Sequence, residues 1–258
     1  MKKIGIGYES YKEFIDNDMY YIDKTMLIRD VVEKGGKVTL FTRPRRFGKT
    51  LALSMLRTFF ELEYDRDGNP IDKRRYFEGK KIMSAPDEIL SMMGRYPVIK
   101  LSLKSAKQPN FREAALQLRD EIVSEFSRHI YLKDSKALTE EEAKAFQELS
   151  VTARRDAIKD EEAFRAEIGR YLAALKTLSV CLKKHHNENV ILLLDEYDVP
   201  LENAYYEGFY DEMVGFIRSL FESALKTNDA LQFGVVTGCL RISKESIFTG
   251  LNHLEISS

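Results

Sequence analysis

Val38-Thr39-Leu40-Phe41-Thr42-Arg43-Pro44-Arg45-Arg46-Phe47-Gly48-Lys49-Thr50 is the stretch that decides how this chain reads. An apolar run that predicts a buried strand passes into a basic loop and ends on Gly-Lys-Thr, with a helical pattern behind it. Phosphate groups need closely spaced backbone N–H donors, a cation and a helix N-terminus, and a strand–loop–helix junction supplies all three. In that setting Gly48 lets the backbone approach a phosphate, Lys49 reaches the β- and γ-phosphates, and the Thr50 hydroxyl ligates Mg²⁺. Arg43, Pro44, Arg45, Arg46 and Phe47 complete the loop, and its arginines add positive charge. The usual phosphate-loop pattern has Gly where Arg43 stands, and Arg adopts positive φ less cheaply than Gly. Pro44 sets an alternative loop path. A basic surface turn that happens to contain Gly-Lys-Thr is the plain alternative.

Outward from this loop, a second apolar run, Val190-Ile191-Leu192-Leu193-Leu194, ends in Asp195-Glu196-Tyr197-Asp198. Ligands of open α/β sheets collect at the carboxyl ends of strands. Asp195 there would hold Mg²⁺, directly or through water, and Glu196 would act as general base on an attacking water. Asp198 would support either task or fix the Tyr197 turn with Pro200. A strand that simply ends in acidic turn residues is the plain alternative, and the phosphate loop weighs against it. A third apolar run, Leu231 to Val236, leads to Thr237-Gly238. A polar residue in the place of Thr237 senses a γ-phosphate or orients water, and Arg241 follows closely enough to reach phosphates, or is only a surface residue. Together the two acidic and basic segments predict a nucleotide site for ATP or GTP with magnesium.

The remaining elements fit around these runs. Asp23-Lys24-Thr25 opens a helix over 26–32, with Gly35-Gly36 as its C-terminal cap. Apolar spacing predicts helices from Thr50 to Glu61, from about Phe111 to Ile130, and from about Asp211 to Lys226. Phe164, Ile168, Leu172, Leu175, Leu178 and Leu182 mark one face of a long helix, which Asn187-Glu188-Asn189 ends. Asp65 to Asn69 is a turn. From Pro97 to Lys104 apolar and polar residues alternate, the pattern of a half-exposed edge strand. Residues 133–163 are charged and poor in large apolar groups, and Thr139 with Glu142 is a capping-box pair, so this segment reads as a helical excursion on the surface. Leu254-Glu255-Ile256 is a last short apolar stretch. Strands alternating with helices predict an α/β fold with a mainly parallel sheet covered on both faces.

Composition narrows the function. The 258 residues contain 40 Lys plus Arg and 41 Asp plus Glu, a net charge of −1, so nucleic-acid affinity would have to come from a local patch such as Arg43–Arg46. Neither Cys181 nor Cys239 belongs to a CxxC pair, and two thiols make no disulfide framework. His129, His185, His186 and His253 show no metal-ligand spacing. With no signal-peptide pattern and no apolar run long enough to span a bilayer, a cytoplasmic location without membrane attachment is expected. Tyr20 and Tyr21 have the character to cover a base, although core spacing favours a packing role.

Five blocks occur in a telling order: Tyr21-Ile22-Asp23-Lys24-Thr25, Arg43-Pro44-Arg45-Arg46-Phe47-Gly48-Lys49-Thr50, Leu194-Asp195-Glu196-Tyr197-Asp198-Val199-Pro200, Thr237-Gly238-Cys239-Leu240-Arg241-Ile242 and Ile247-Phe248-Thr249-Gly250-Leu251-Asn252. In this the chain resembles the AAA-ATPase-like proteins of bacteria, predicted P-loop ATPases, across nearly its whole length. Arg at position 43 is usual in that family. The resemblance implies an additional-strand type of P-loop NTPase fold. The strand ending at Thr237 would lie between strands 38–42 and 190–194, with 97–104 at one edge and 253–257 at the other. It also implies adenine rather than guanine as the base. Relatives usually continue into a helical region and a domain resembling a PD-(D/E)XK nuclease, both missing here, so one domain over 1–258 without that lid is expected. The expected function is a Mg²⁺-dependent ATPase acting as a conformational switch. The rivals are a non-hydrolysing nucleotide-binding module that regulates a partner protein or nucleic acid, and a small-molecule phosphotransferase. Oligomeric state is not legible.

Overall fold

The computed structural model describes residues 7–34 and 36–239, together with Lys3, Gly5, Ile247 and the strand 254–257. Five parallel strands form its sheet: β1 (Val38–Thr42), β2 (Val98–Ser102), β3 (Val190–Asp195), β4 (Leu231–Gly238) and β5 (Leu254–Ser257), in the order β2-β3-β4-β1-β5. The fold is therefore α/β, and β4 lies between β1 and β3 with β2 and β5 at the edges, as expected. Helices α1 (Tyr11–Asp16), α2 (Met26–Glu33), α3 (Lys49–Phe60), α4 (Asp87–Leu90), α5 (Phe111–Arg128), α6 (Glu140–Leu149), α7 (Glu161–Tyr171), α8 (Ala174–His186), α9 (Val199–Glu207) and α10 (Tyr210–Phe221) surround it.

Side-chain alternation along β3 divides the core. Val190, Leu192 and Leu194 face one cluster, which α5 to α10 complete with residues such as Phe126, Leu178 and Ile217. Ile191 and Leu193 face the other, built from α1 to α4 with Tyr11, Phe59, Phe60 and Phe77. Both faces of this central strand are covered, which is why it reads as an unbroken apolar run rather than an alternating one. At the β2 edge Lys100 and Ser102 are only half-buried. The backbone N–H of Lys100 donates outward to the Glu125 carboxylate of α5 at 2.9 Å, so a side chain occupies a donor that would otherwise template another strand.

Several local expectations are met. The Thr139–Glu142 capping box is formed, and α6 sends Phe146 and Leu149 into the core. Asn187, at φ 54°, ends α8, and the Asp65–Asn69 turn closes with a 2.9 Å backbone bond. Of the predicted Gly35-Gly36 cap, Gly35 lies outside the described residues; the helix itself ends at Glu33.

The long helix expected from Phe164 to Leu182 is instead two helices, α7 and α8. Leu172 and Ala173 separate them, and the Ser223 hydroxyl donates to the Leu172 carbonyl at 2.9 Å, giving that oxygen a partner outside the helix. Tyr171 ends α7 buried, its hydroxyl donating to the Val151 carbonyl at 2.9 Å. The apolar spacing runs on because both helices turn their faces to one core cluster. Three helices have no counterpart in the sequence reading: α1, the short α4 and α9. Ser10 caps α1, and α9 begins directly after the acidic run with Pro200 in its first turn and Gly208 as its left-handed cap.

Candidate functional site

Because the strands are parallel, β1, β3 and β4 deliver their carboxyl ends to the same edge of the sheet, and the described ones among the expected site residues lie there. Register places Phe41 beside Thr237 and Thr42 beside Gly238, while Leu194 lies beside Val236. Backbone bonds join the exits: Arg43 N–H donates to the Gly238 carbonyl at 3.2 Å, and Tyr197 N–H to the Thr237 carbonyl at 3.1 Å.

The loop from Arg43 to Gly48 turns into α3 through Gly48, at φ 77°. The first intrahelical bond is Ala52 N–H to the Gly48 carbonyl at 2.9 Å. The backbone N–H groups of the turn before it have no intrahelical acceptor, which is the donor set an anion requires. The strain expected at Arg43 is absent there; among non-glycine loop residues the positive φ falls on Arg46, at 70°. A non-glycine residue in the left-handed region costs about 1–2 kcal/mol, so the loop carries its strain three residues further along. The Arg43 guanidinium instead lies 5.1 Å from the Phe41 ring centroid, with its Nε buried.

Lys49 is only 7% exposed. Its ammonium donates to the Arg43 carbonyl at 2.8 Å and the Pro44 carbonyl at 3.2 Å, and lies 3.1 Å from Cys239 Sγ. These partners hold the cation inside the curl of the loop. Thr50 follows in the first turn of α3, half-buried. Arg45 pairs with Glu202 of α9 at 2.7 Å on the exposed rim. Arg46, Phe47 and Pro44 are exposed.

On the acidic side, Asp195 is 2% exposed and accepts a hydrogen bond from the Thr237 hydroxyl. Glu196 follows at φ 55°, and its Oε2 is buried without a hydrogen-bond partner. Burial first, and the adjoining Asp195 charge second, push the Glu196 carboxyl above the usual carboxylate range, while Lys104 and Lys49 oppose the shift. Asp198 accepts the Cys239 N–H at 2.7 Å, which ties the acidic turn to the chain leaving β4. Gly238 packs so closely on the Tyr197 ring that a Cβ there would stand 2.5 Å from Cε1.

A magnesium ion suits this donor set only in part. Among the described residues no group of three or more His, Cys, Asp and Glu side chains is arranged to hold a metal. Asp195 and Thr50 offer two oxygen ligands, and Mg²⁺ takes six, commonly with phosphate oxygens and water completing the shell. Oxygens of this kind would suit the ion only with phosphate oxygens and water completing its shell.

Arg241 lies outside the described residues. Three contributions were not foreseen: Cys239 as a partner of Lys49, Asp198 as the anchor of Cys239, and Lys24, whose ammonium donates to the Phe47 carbonyl at 3.4 Å. The first two join residues far apart in sequence, which no local pattern records. Lys24 stands within one of the family blocks and could have been singled out there. The remaining cysteine, Cys181, is buried in α8 with its thiol pushed up to about 11, chiefly by burial.

No helix among the described residues is long and apolar enough to cross a membrane. No solved structure matches the chain significantly. A protein of Azotobacter chroococcum mcd 1, described as an uncharacterized protein in the vnfD 5′ region, is 28% identical over 257 residues. The alignment covers 98% of this chain and 40% of that relative, so the chain spans well under half of the relative's length. The family described as predicted AAA-ATPase matches residues 5–248, and the chain belongs to this AAA-ATPase-like family.

Proposed function

We propose that residues 1–258 form one P-loop domain of the additional-strand type. It would bind ATP with Mg²⁺ and hydrolyse it in the cytoplasm as a switch for a partner protein or nucleic acid. The observation that carries this reading is the convergence of Lys49, Asp195, Thr237 and Glu196 at adjoining strand ends, with the Glu196 Oε2 buried and unpartnered. In this reading the loop N–H groups and Lys49 hold the phosphates, and Arg43, Arg45 and Arg46 add to the local positive field. Thr50 and Asp195 hold the magnesium, which supplies charge neutralisation on the phosphate oxygens. Thr237 fixes the Asp195 carboxylate. Glu196, its carboxyl held above the usual carboxylate range, takes the proton of the attacking water. Arg241 would answer to the phosphates from the segment after β4.

Calorimetric titration of Mg²⁺-ATP into the chain and into its Lys49→Ala variant tests the site. Binding is expected in the unaltered chain and lost in the variant; equal affinity in the two would remove Lys49 from the reading. Glu196→Gln is expected to keep binding and to slow turnover by about 10²–10⁴-fold, the usual worth of a positioned acid–base group. Normal turnover in that variant would remove Glu196 as the base. Binding with no turnover in the unaltered chain would make the domain a non-hydrolysing module.

A further inference from the structure

The far end of α9 turns outward. Pro200, Leu201, Asn203 and Ala204 are buried, while Tyr205 and Tyr206, just before the left-handed Gly208 cap, are 70% and 77% exposed. They are the most exposed large apolar side chains among the described residues. The Tyr205 ring stands nearly perpendicular to Tyr206, at 5.7 Å and 80°. It meets the half-buried Tyr210, at the start of α10, at 6.1 Å and 89°. The three rings form one aromatic corner on the surface. Single exposed apolar side chains are ordinary, but large ones grouped within a polar rim mark a place where something docks. Tyrosine suits that task, since it offers a broad face with few rotatable bonds.

The rim is acidic. Glu207, Asp211 and Glu212 are exposed, and no Lys or Arg occurs from Val199 to Ile217. Glu202 is paired with Arg45 at 2.7 Å, whereas Glu207, Asp211 and Glu212 form no ion pair among the described residues. Asp211 and Glu212 lie in the first turn of α10, where negative charge is ordinary. Glu207 is differently placed. It is the last residue of α9, where the helix carbonyls favour a cation, and the last turn of α9 carries none. Elsewhere the chain covers ring faces with its own arginines: Arg75 lies 4.3 Å from the Tyr76 centroid, and Arg112 lies 4.8 Å from that of Phe164. No cation lies over Tyr205, Tyr206 or Tyr210 among the described residues.

The missing cation defines the occupant. A planar guanidinium stacks on a tyrosine face while its N–H fork reaches a neighbouring carboxylate; an ammonium lacks the plane and the fork. Nucleic-acid bases also stack on tyrosine, but their phosphates would meet unpaired carboxylates here. We propose that this corner of α9 and α10 docks an arginine-bearing segment of a partner protein. Its guanidinium groups stack on Tyr205 and Tyr206 and pair with Glu207, Asp211 and Glu212. The surface requires no nucleotide, so the assignment stands apart from the phosphate-loop reading. Yet α9 starts directly after the acidic run and holds Arg45 through Glu202, so a partner seated here touches the helix that frames the candidate site.

The experiment measures fluorescence anisotropy of a labelled peptide of alternating Gly and Arg, without nucleotide, on the 258-residue chain and its variants. The matching Gly-Lys peptide and a labelled oligothymidylate serve as comparisons. The arginine peptide should bind, and the lysine peptide should bind more weakly. Tyr205→Ala with Tyr206→Ala should weaken the arginine peptide about tenfold, the scale of two lost cation–ring contacts. Glu207→Gln, Asp211→Asn and Glu212→Gln together should weaken it as much and reduce its dependence on salt. Glu140→Gln with Glu141→Gln, exposed acids in the first turn of α6, should change nothing. All these side chains are exposed, so melting temperatures should match and show that each variant is folded. No binding of the arginine peptide, or unchanged binding by the tyrosine variant, overturns the assignment. So does a lysine peptide that binds equally well, or a loss as large in the α6 control, since either would mean that charge alone is read. Oligothymidylate binding that falls in the tyrosine variant would give the face to nucleic acid instead. Dimers of the unaltered chain in sedimentation, lost with the two tyrosines, would give it to a second copy and overturn the assignment likewise.

Discussion

Gly238→Ala should damage this protein far more than its size suggests, and Gly234→Ala four residues earlier on the same strand should do less. At Gly238 a new Cβ would stand 2.5 and 2.8 Å from the Tyr197 ring carbons Cε1 and Cδ1, and 2.9 Å from Asp198 Oδ1. Ordinary carbon contacts lie at about 3.5–4.0 Å, so the ring would have to withdraw by about 1 Å. Tyr197 is fully buried and its N–H is bonded to the Thr237 carbonyl, so neither ring nor backbone has room to yield. At Gly234 the nearest atom is a terminal methyl of Leu225 at 2.8 Å, and the next is the Leu192 carbonyl at 3.8 Å; a leucine end can rotate away. Overpacking a tight core costs about 1–3 kcal/mol. Gly238→Ala should fall at the upper end and Gly234→Ala at or below the lower. For a chain of this length each kcal/mol moves the melting temperature by about 2–4 °C. Urea melts with an unchanged m-value would give the free energies directly. Because Asp198 also holds Cys239, and through it the surroundings of Lys49, Gly238→Ala should weaken Mg²⁺-ATP binding as well. Equal stability of the two variants, or a Gly238→Ala protein that melts with the unaltered chain, would refute the packing argument.

Two further expectations follow from charged groups away from the site. Arg119, 1% exposed, donates to Glu167 at 3.0 Å and to the Ala153 carbonyl at 3.2 Å, while Glu167 accepts the Ala153 N–H at 3.3 Å. Arg119→Met should destabilise by about 3–5 kcal/mol in urea melts, with part recovered on adding Glu167→Gln; a loss under about 1 kcal/mol would mean that Arg170, the other partner of Glu167, carries the pair alone. His186 is held down to about 4 by burial first and by the charges of His185 and His129, against an unfolded value of 6.5. Below pH 6.5 the unfolded chain then binds more protons than the folded one, so stability should fall as pH drops from about 6.5 to about 4. His186→Gln should flatten that slope, and an unchanged slope would place its origin elsewhere.

Where the sequence spoke plainly, it did so through runs that report burial on their own. β3 is apolar at every position before Asp195 because both of its faces are covered, and the basic loop is recognisable because its donors and cation are contiguous in the chain. The break between α7 and α8 left no trace, since it contains neither Gly nor Pro and its carbonyl is satisfied by Ser223, fifty-one residues away. α9 was hidden for a related reason: Pro200 reads as a turn residue yet is favourable in a first helical turn. At the site the identities of Lys49, Asp195 and Glu196 were legible, but their partners were not. The Lys49–Cys239 contact spans 190 residues, and the relocation of strain from Arg43 to Arg46 is a property of the closed loop, not of any residue type.

The lysine seated among its own loop carbonyls has a kinetic side. An ammonium already desolvated and bonded to two carbonyl oxygens must leave them before it can neutralise a phosphate. On the proposed reading, nucleotide capture would be a partner exchange in which the loop competes with its own ligand. Hydrogen bonds involving a charged group contribute about 1.5–3 kcal/mol, so the intrinsic affinity for a phosphate in the proposed site would be lowered by a comparable amount relative to a loop with a freely solvated lysine. The same competition would work in reverse as a bound nucleotide departs. Carbonyl oxygens 2.8 and 3.2 Å from the ammonium are ready to take it back, so release leaves no bare charge behind. If the proposed nucleotide binds here, such a loop would trade tightness for turnover, the balance that suits a device meant to be reset often.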